Sequence, residues 1–218
     1  MKYVKYSLTC LALMVLIVSI YEVVKVKDAK SLTPEIRIKY LSDNLIKIKL
    51  ENIPHKWIDM LIKIEDPAFY EHKGIDISSP GAGITTITQA MTKYMYFDNF
   101  KPGFAKLEQS LIAHFVVDRS FSKNEQLEIF YNSAYLGHYE GNEIRGFSNA
   151  AMVYYSKNLQ SLSDDEYLSL VALLVAPNTF SLIKHPEKNT ERVDRLKRVI
   201  SGSYQPSGVT DIMYDKNV

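Results

Sequence analysis

The chain has 218 residues, with 26 Lys+Arg against 25 Asp+Glu and a formal net charge of +1. That balance excludes the broad basic footprint of a nucleic-acid binder, so no nucleic-acid partner is expected. The single cysteine, Cys10, excludes an intramolecular disulfide framework, and the length suits one domain with its own core, with room for two lobes.

In chain order, a short basic tip, Met1 to Lys5, precedes a stretch from Tyr6 to Tyr21 without a charge, which Val23 and Val24 extend. Lys5 can snorkel, so residues 6–24 are long enough for one transmembrane helix. No A-x-A site follows, so residues 1–24 read as an uncleaved signal anchor with the N-terminus in the cytoplasm. Residues 25–54 are polar and mixed and read as a juxtamembrane linker; within it, the alternation of Leu45 to Leu50 suggests a short strand.

Trp57, Met60, Leu61 and Ile64 share one helical face, and Pro67 stops that helix, because its ring fixes φ and it has no N–H. Glu65 and Asp66 therefore stand at a helix end. Held against partly buried surface, a carboxylate there has its pKa raised and becomes a proton acceptor; a solvated acidic end is the plainer alternative. A turn-rich loop through Ser78 to Gly83 leads to Thr85, Thr86, Ile87, Thr88 and Gln89, a hydroxyl cluster at a helix start that suits anionic oxygens. Lys93 lies one turn beyond Gln89.

An aromatic and turn-like stretch, 94–104, precedes a mostly apolar helix from Ala105 to Arg119. Ser122 and Glu125 form a capping box that opens the next helix, and Ser163 and Glu166 form another. Between them, residues 135–143 read as a loop and 144–155 as a helix. A basic amphipathic helix spans 190–200, followed by a loose tail, 203–218. Domain boundaries on this reading are 1–24, 25–54, 55–202 and 203–218.

Glu65-Asp66-x-x-Phe69-x-x-His72-x-Gly74 resembles, with no member missing, the first motif of glycosyltransferase family 51, the peptidoglycan glycosyltransferases. Gly83, Thr85, Thr86, Ile87, Thr88 and Gln89 resemble the second, Gly-x-Ser-Thr-Ile-Thr-Gln-Gln, with Thr85 for the serine and Ala90 for the last glutamine. The third, Arg-Lys-x-x-Glu, falls on Ala105 to Gln109: Lys106 is retained, Ala105 replaces the arginine and Gln109 the glutamate. Arg119, Ser122, Lys123, Leu127, Glu128 and Asn132 match the fourth region, and Gly137, Gly141, Glu143, Tyr154 and Tyr155 echo the fifth.

The resemblance implies a mainly α, lysozyme-like, two-lobed catalytic domain behind one N-terminal transmembrane helix, on the outer face of a bacterial cytoplasmic membrane. It implies polymerisation of lipid II into glycan strands, with Glu65 as general base. It makes Asp66, Phe69, His72, Gly74, Thr85, Thr86, Gln89, Lys93, Lys106, Gln109 and Glu143 the substrate-binding set. The partners it implies are lipid II, the growing glycan strand, the membrane and other cell-wall synthesis proteins. A divalent cation, magnesium or manganese, is a further expectation, with Glu108 or Gln109 the nearest candidates to hold it. Two readings stay open beside this one: a non-catalytic relative that binds lipid II or assembly partners, and a lysozyme-like lytic enzyme.

Overall fold

The computed structural model describes residues 2–215, and the side chains from Tyr6 onward. Its elements are almost all helical. Helix α1 runs Lys2–Tyr40, α2 His55–Glu65, α3 Ile87–Tyr96 and α4 Phe104–Ile112. A π-helical turn, Ala113–Val117, leads from α4 into the short α5, Asp118–Ser120. Helix α6 spans Lys123–Ser133, α7 Phe147–Tyr155, α8 Asp164–Val175 and α9 Pro186–Ser201.

Strands β1, Tyr135–Tyr139, and β2, Asn142–Arg145, form one antiparallel hairpin. The 135–143 loop and the start of the 144–155 helix are therefore corrected to strands. The cause is the two-residue turn at Glu140 and Gly141, both at positive φ, whose backbone twist suits a tight hairpin.

Helix α1 has 39 residues and so reaches about 58 Å, well beyond the apolar thickness of a bilayer. Its exposed apolar section is long enough to cross a membrane. The section read as linker is helical up to Tyr40, and one face of it docks on the body. Val26, Ala29, Thr33, Ile36 and Tyr40 recur every three or four residues along that face. The Thr33 hydroxyl meets that of Tyr96 at 2.9 Å, Arg37 pairs with Glu125 and donates to the Ser120 carbonyl at 2.7 Å, and the Tyr40 hydroxyl donates to the Tyr94 carbonyl at 2.6 Å. Residues 45–49 are not a strand. Asn132 accepts from the N–H groups of Lys47 and Ile48 and returns a hydrogen bond to the Ile48 carbonyl, so a side chain takes the place of a pairing strand.

Two cores match the two expected lobes. The larger gathers α2, α6, α7, α8 and α9 around Trp57, which stacks on Tyr167 with ring centres 4.5 Å apart. The smaller gathers α1, α3, α4 and the π-helical turn around Met91, Ile112 and Val117.

Residues 203–215, after α9, are packed, which corrects the expectation of a loose tail for them; residues 216–218 lie outside the described residues. Gly81 and Gly83 donate their N–H groups to the carbonyls of Gly208 and Val209, and Tyr204 and Tyr214 are buried. The contacts that hold it join residues more than a hundred positions apart, which local sequence cannot reveal.

A cleft around Glu65

Glu65 is the last residue of α2, and Asp66 is its C-cap. The helix ends where Pro67 must end it, so the two carboxylates leave in different directions. Asp66 is buried. Its Oδ1 accepts from His72 Nε2 at 2.9 Å, and its Oδ2 accepts from the N–H of Ile87, in the first turn of α3, at 2.9 Å. His72 Nδ1 in turn accepts from the Gly74 N–H, which places the ring proton on Nε2. Thr86 caps α3, accepting from the Gln89 N–H while its hydroxyl donates to the Gly74 carbonyl at 2.8 Å. Gly74 has φ +84, and an added Cβ would lie 2.7 Å from the Ala113 carbonyl oxygen, so only glycine lets this loop lie against the π-helical turn.

Glu65 instead faces a cavity of about 360 Å³. Thr85, Thr86, Lys93 and Gln109 line it with Glu65, and Lys106 reaches its rim, donating to the Thr85 hydroxyl at 2.8 Å. Asp66, Phe69, His72 and Gly74 lie behind this wall rather than along it. They brace the loop, and Phe69 is fully buried under the Lys123 ammonium, 4.7 Å from its ring centre. Gln89 is also buried, its amide shared between Ser110 and the Thr86 N–H. Glu143 is exposed on β2 and holds Arg145 at 2.7 Å, outside the cavity lining.

Desolvation pushes the Glu65 pKa up to about 7; the positive charge of Arg192 opposes the rise and the neighbouring Asp66 carboxylate adds to it. Arg192, on α9, lines the cavity and was not anticipated from the sequence. It is only 2 % exposed, and its Nε and Nη1 have no hydrogen-bond partner among the described residues. Its guanidinium lies 4.6 Å from the ring centre of Tyr214, and Tyr94 and Tyr214 also line the cleft. A signal was present: Asn189, Arg192, Val193, Leu196 and Val199 form the buried stripe of α9, and an arginine on such a stripe is out of place unless something needs its charge.

The donor set does not fit a divalent cation. Gln109 donates from Nε2 to the Gln89 carbonyl, and its free Oε1 is neutral. Glu108 points to the other side of α4, with its carboxylate 4.0 Å from Lys25 on α1. Among the described residues Glu65 is the one carboxylate in the cavity lining, and burial, with the charge of nearby Lys93 adding to it, lowers the Lys106 pKa. Magnesium and similar cations take several oxygens, carboxylates among them.

A family model described as Transglycosylase matches residues 35–201. The chain is similar to Penicillin-binding protein 1F of Bacillus subtilis (strain 168), 32% identical over 168 residues, which is 71% of this chain and 23% of that protein. It is similar also to Penicillin-binding protein 1B of Haemophilus influenzae, 30% over 192 residues, 81% of this chain and 24% of that protein. With Penicillin-binding protein 1B of Escherichia coli (strain K12) it shares 29% over 160 residues, 67% of this chain and 19% of that protein. The matched part of the chain thus spans a quarter or less of these relatives' length.

The protonation of Glu65 predicts a stability effect that needs no substrate. A carboxyl whose pKa is raised by folding contributes stability that is complete below its unfolded value near 4.5 and is lost as pH rises through about 7. Glu65→Gln removes that loss. Thermal melts should show the variant more stable than the parent by about 2–3 kcal/mol at pH 8 and equal to it at pH 4.

Proposed function

The chain belongs to the transglycosylase family, the peptidoglycan glycosyltransferases, and from that premise we propose that it polymerises lipid II into glycan strands at the outer face of a bacterial cytoplasmic membrane. Glu65 is the general base. It takes the proton from the 4-hydroxyl of the acceptor's N-acetylglucosamine. The oxygen forms a bond to C1 of the donor's N-acetylmuramic acid. The bond from C1 to the diphosphate oxygen breaks, its electron pair leaves with undecaprenyl diphosphate, and C1 inverts. Base and leaving group then stand on opposite sides of the sugar, as inversion requires.

One observation carries this reading: a carboxylate with a pKa near 7 opens into a cleft whose other charged lining groups are cationic. Near neutral pH such a group is partly ionised and still basic enough to take a proton as the transition state forms. Lys93 and Lys106 answer the charge of the departing diphosphate, with the hydroxyl of Thr85 beside them. On this reading the lysines supply the positive charge that a divalent cation would otherwise provide. Helix α1 anchors the body to the bilayer from which the substrate's polyprenyl tail does not leave. The neutral Gln109 favours a second reading, a relative that binds lipid II without joining it; binding without turnover would select it.

Polymerisation of labelled lipid II by the purified full chain tests both. Glu65→Gln should lower the rate at least a thousandfold with little change in lipid II binding, and a variant retaining full activity would contradict the assignment. The same assay with a chelator in place of magnesium should retain the parent rate within about twofold. Loss of activity that added magnesium restores would show that a cation takes part.

A further inference from the structure

The segment after α9 crosses the cleft at Glu65. The buried Asp211 carboxylate accepts from the Tyr204 hydroxyl at 2.8 Å and from the Ser207 N–H at 2.9 Å, which folds residues 204–211 into a compact turn. That turn pairs with the loop at Gly81 and Gly83. Gly81 has φ +79, and a Cβ there would lie 2.6 Å from Pro206 and 2.8 Å from the Tyr214 ring, so the two chains meet without room for a side chain.

Tyr214 completes the crossing. Its hydroxyl is 2.8 Å from the Gly81 carbonyl and 3.1 Å from the carbonyl of Ile64, the residue before Glu65. Its ring covers the Arg192 guanidinium, and its own carbonyl accepts from Arg198 at 3.3 Å. Its backbone sits at φ +52, a conformation a bulky residue adopts only when its surroundings compel it.

We infer that residues 203–214 form a strap whose Tyr214 is a positioning residue for Glu65, fixing the backbone that presents the carboxylate and screening it and Arg192 from water. The inference rests on Glu65 being the proton acceptor. The charges that act on Glu65 are those of Arg192 on α9 and Asp66 beside it; Tyr94 on α3, Tyr167 on α8 and Tyr214 itself face it as neutral phenols, whose own pKa values the Glu65 charge helps raise. Desolvation is the largest influence on Glu65, so letting water in outweighs any drift of Arg192, and its proton affinity falls when the strap loosens.

The test uses the full chain and lipid II. Tyr214→Ala should lower kcat at least tenfold, leave KM within about twofold, and move the acid limb of kcat down by roughly one pH unit. Tyr214→Phe keeps the ring over Arg192 and should shift the limb the same way by less. A merely structural tyrosine would lower the melting temperature and leave the limb in place; an unmoved limb in both variants overturns the inference. A second readout needs no turnover: the pH 8 stabilisation given by Glu65→Gln should shrink by roughly a third or more in the Tyr214→Ala background, and by a smaller but resolved amount in Tyr214→Phe if the alanine variant fails to fold. If the parent does not polymerise lipid II and the stabilisation still shrinks, the strap stands and the functional reading fails. If the full stabilisation persists, the strap is overturned whatever the activity.

Discussion

The carboxylate of Glu65 sits in a groove that removes much of its water, with the guanidinium of Arg192 as the opposing charge. Neither group is in its easy state. Desolvation makes the carboxylate hold its proton, while burial makes the guanidinium expensive. The faces of Tyr214 and Phe180 return part of what water gave Arg192, at 4.6 and 5.9 Å from its carbon. Much of the surrounding structure serves to keep water from these two groups.

That service explains why so many polar residues near Glu65 look away from the cleft. Asp66 takes up the Ile87 N–H and orients His72, His72 takes up the Gly74 N–H, and Thr86 takes up the Gly74 carbonyl while capping α3. Each link satisfies a buried group that would otherwise cost about 1–3 kcal/mol. The closed ring of bonds fixes the end of α2 relative to the start of α3. Glu65 projects from one of those ends, Thr85 stands just before the other, and Lys93 reaches the cleft from the last turn of α3. A continuous motif in sequence is thus divided in space between one carboxylate that faces the cleft and the frame that orients it.

What could be read from the sequence follows from how local the cause is. Ser122 with Glu125 and Ser163 with Glu166 cap their helices as their spacing predicts, and Pro67 ends α2 where its ring must. The two-lobed helical body was legible, as was Glu65 at a helix end. The helical face of 26–40 was also written in the sequence, at Val26, Ala29, Thr33, Ile36 and Tyr40, but the adjoining apolar stretch and mixed charges hid it. The hairpin was missed because its strands are short. Arg192 and Tyr214 were missed because their meaning lies in partners at the far end of the chain: the Tyr214 hydroxyl reaches back 150 residues to Ile64 and 133 to Gly81. That Phe69 and His72 lie outside the cavity lining was not legible for a different reason, since a motif does not say which of its members face the cleft.

The central claim concerns one proton, and the most direct measurement follows it. Carbon NMR of glutamate-labelled protein, with the Glu65 signal assigned by its loss in Glu65→Gln, reads the titration of this carboxyl in the absence of substrate. The account predicts a midpoint near pH 7, well above that of an ordinary glutamate. A midpoint below about pH 5 would mean that water reaches the carboxylate freely, and would contradict the account.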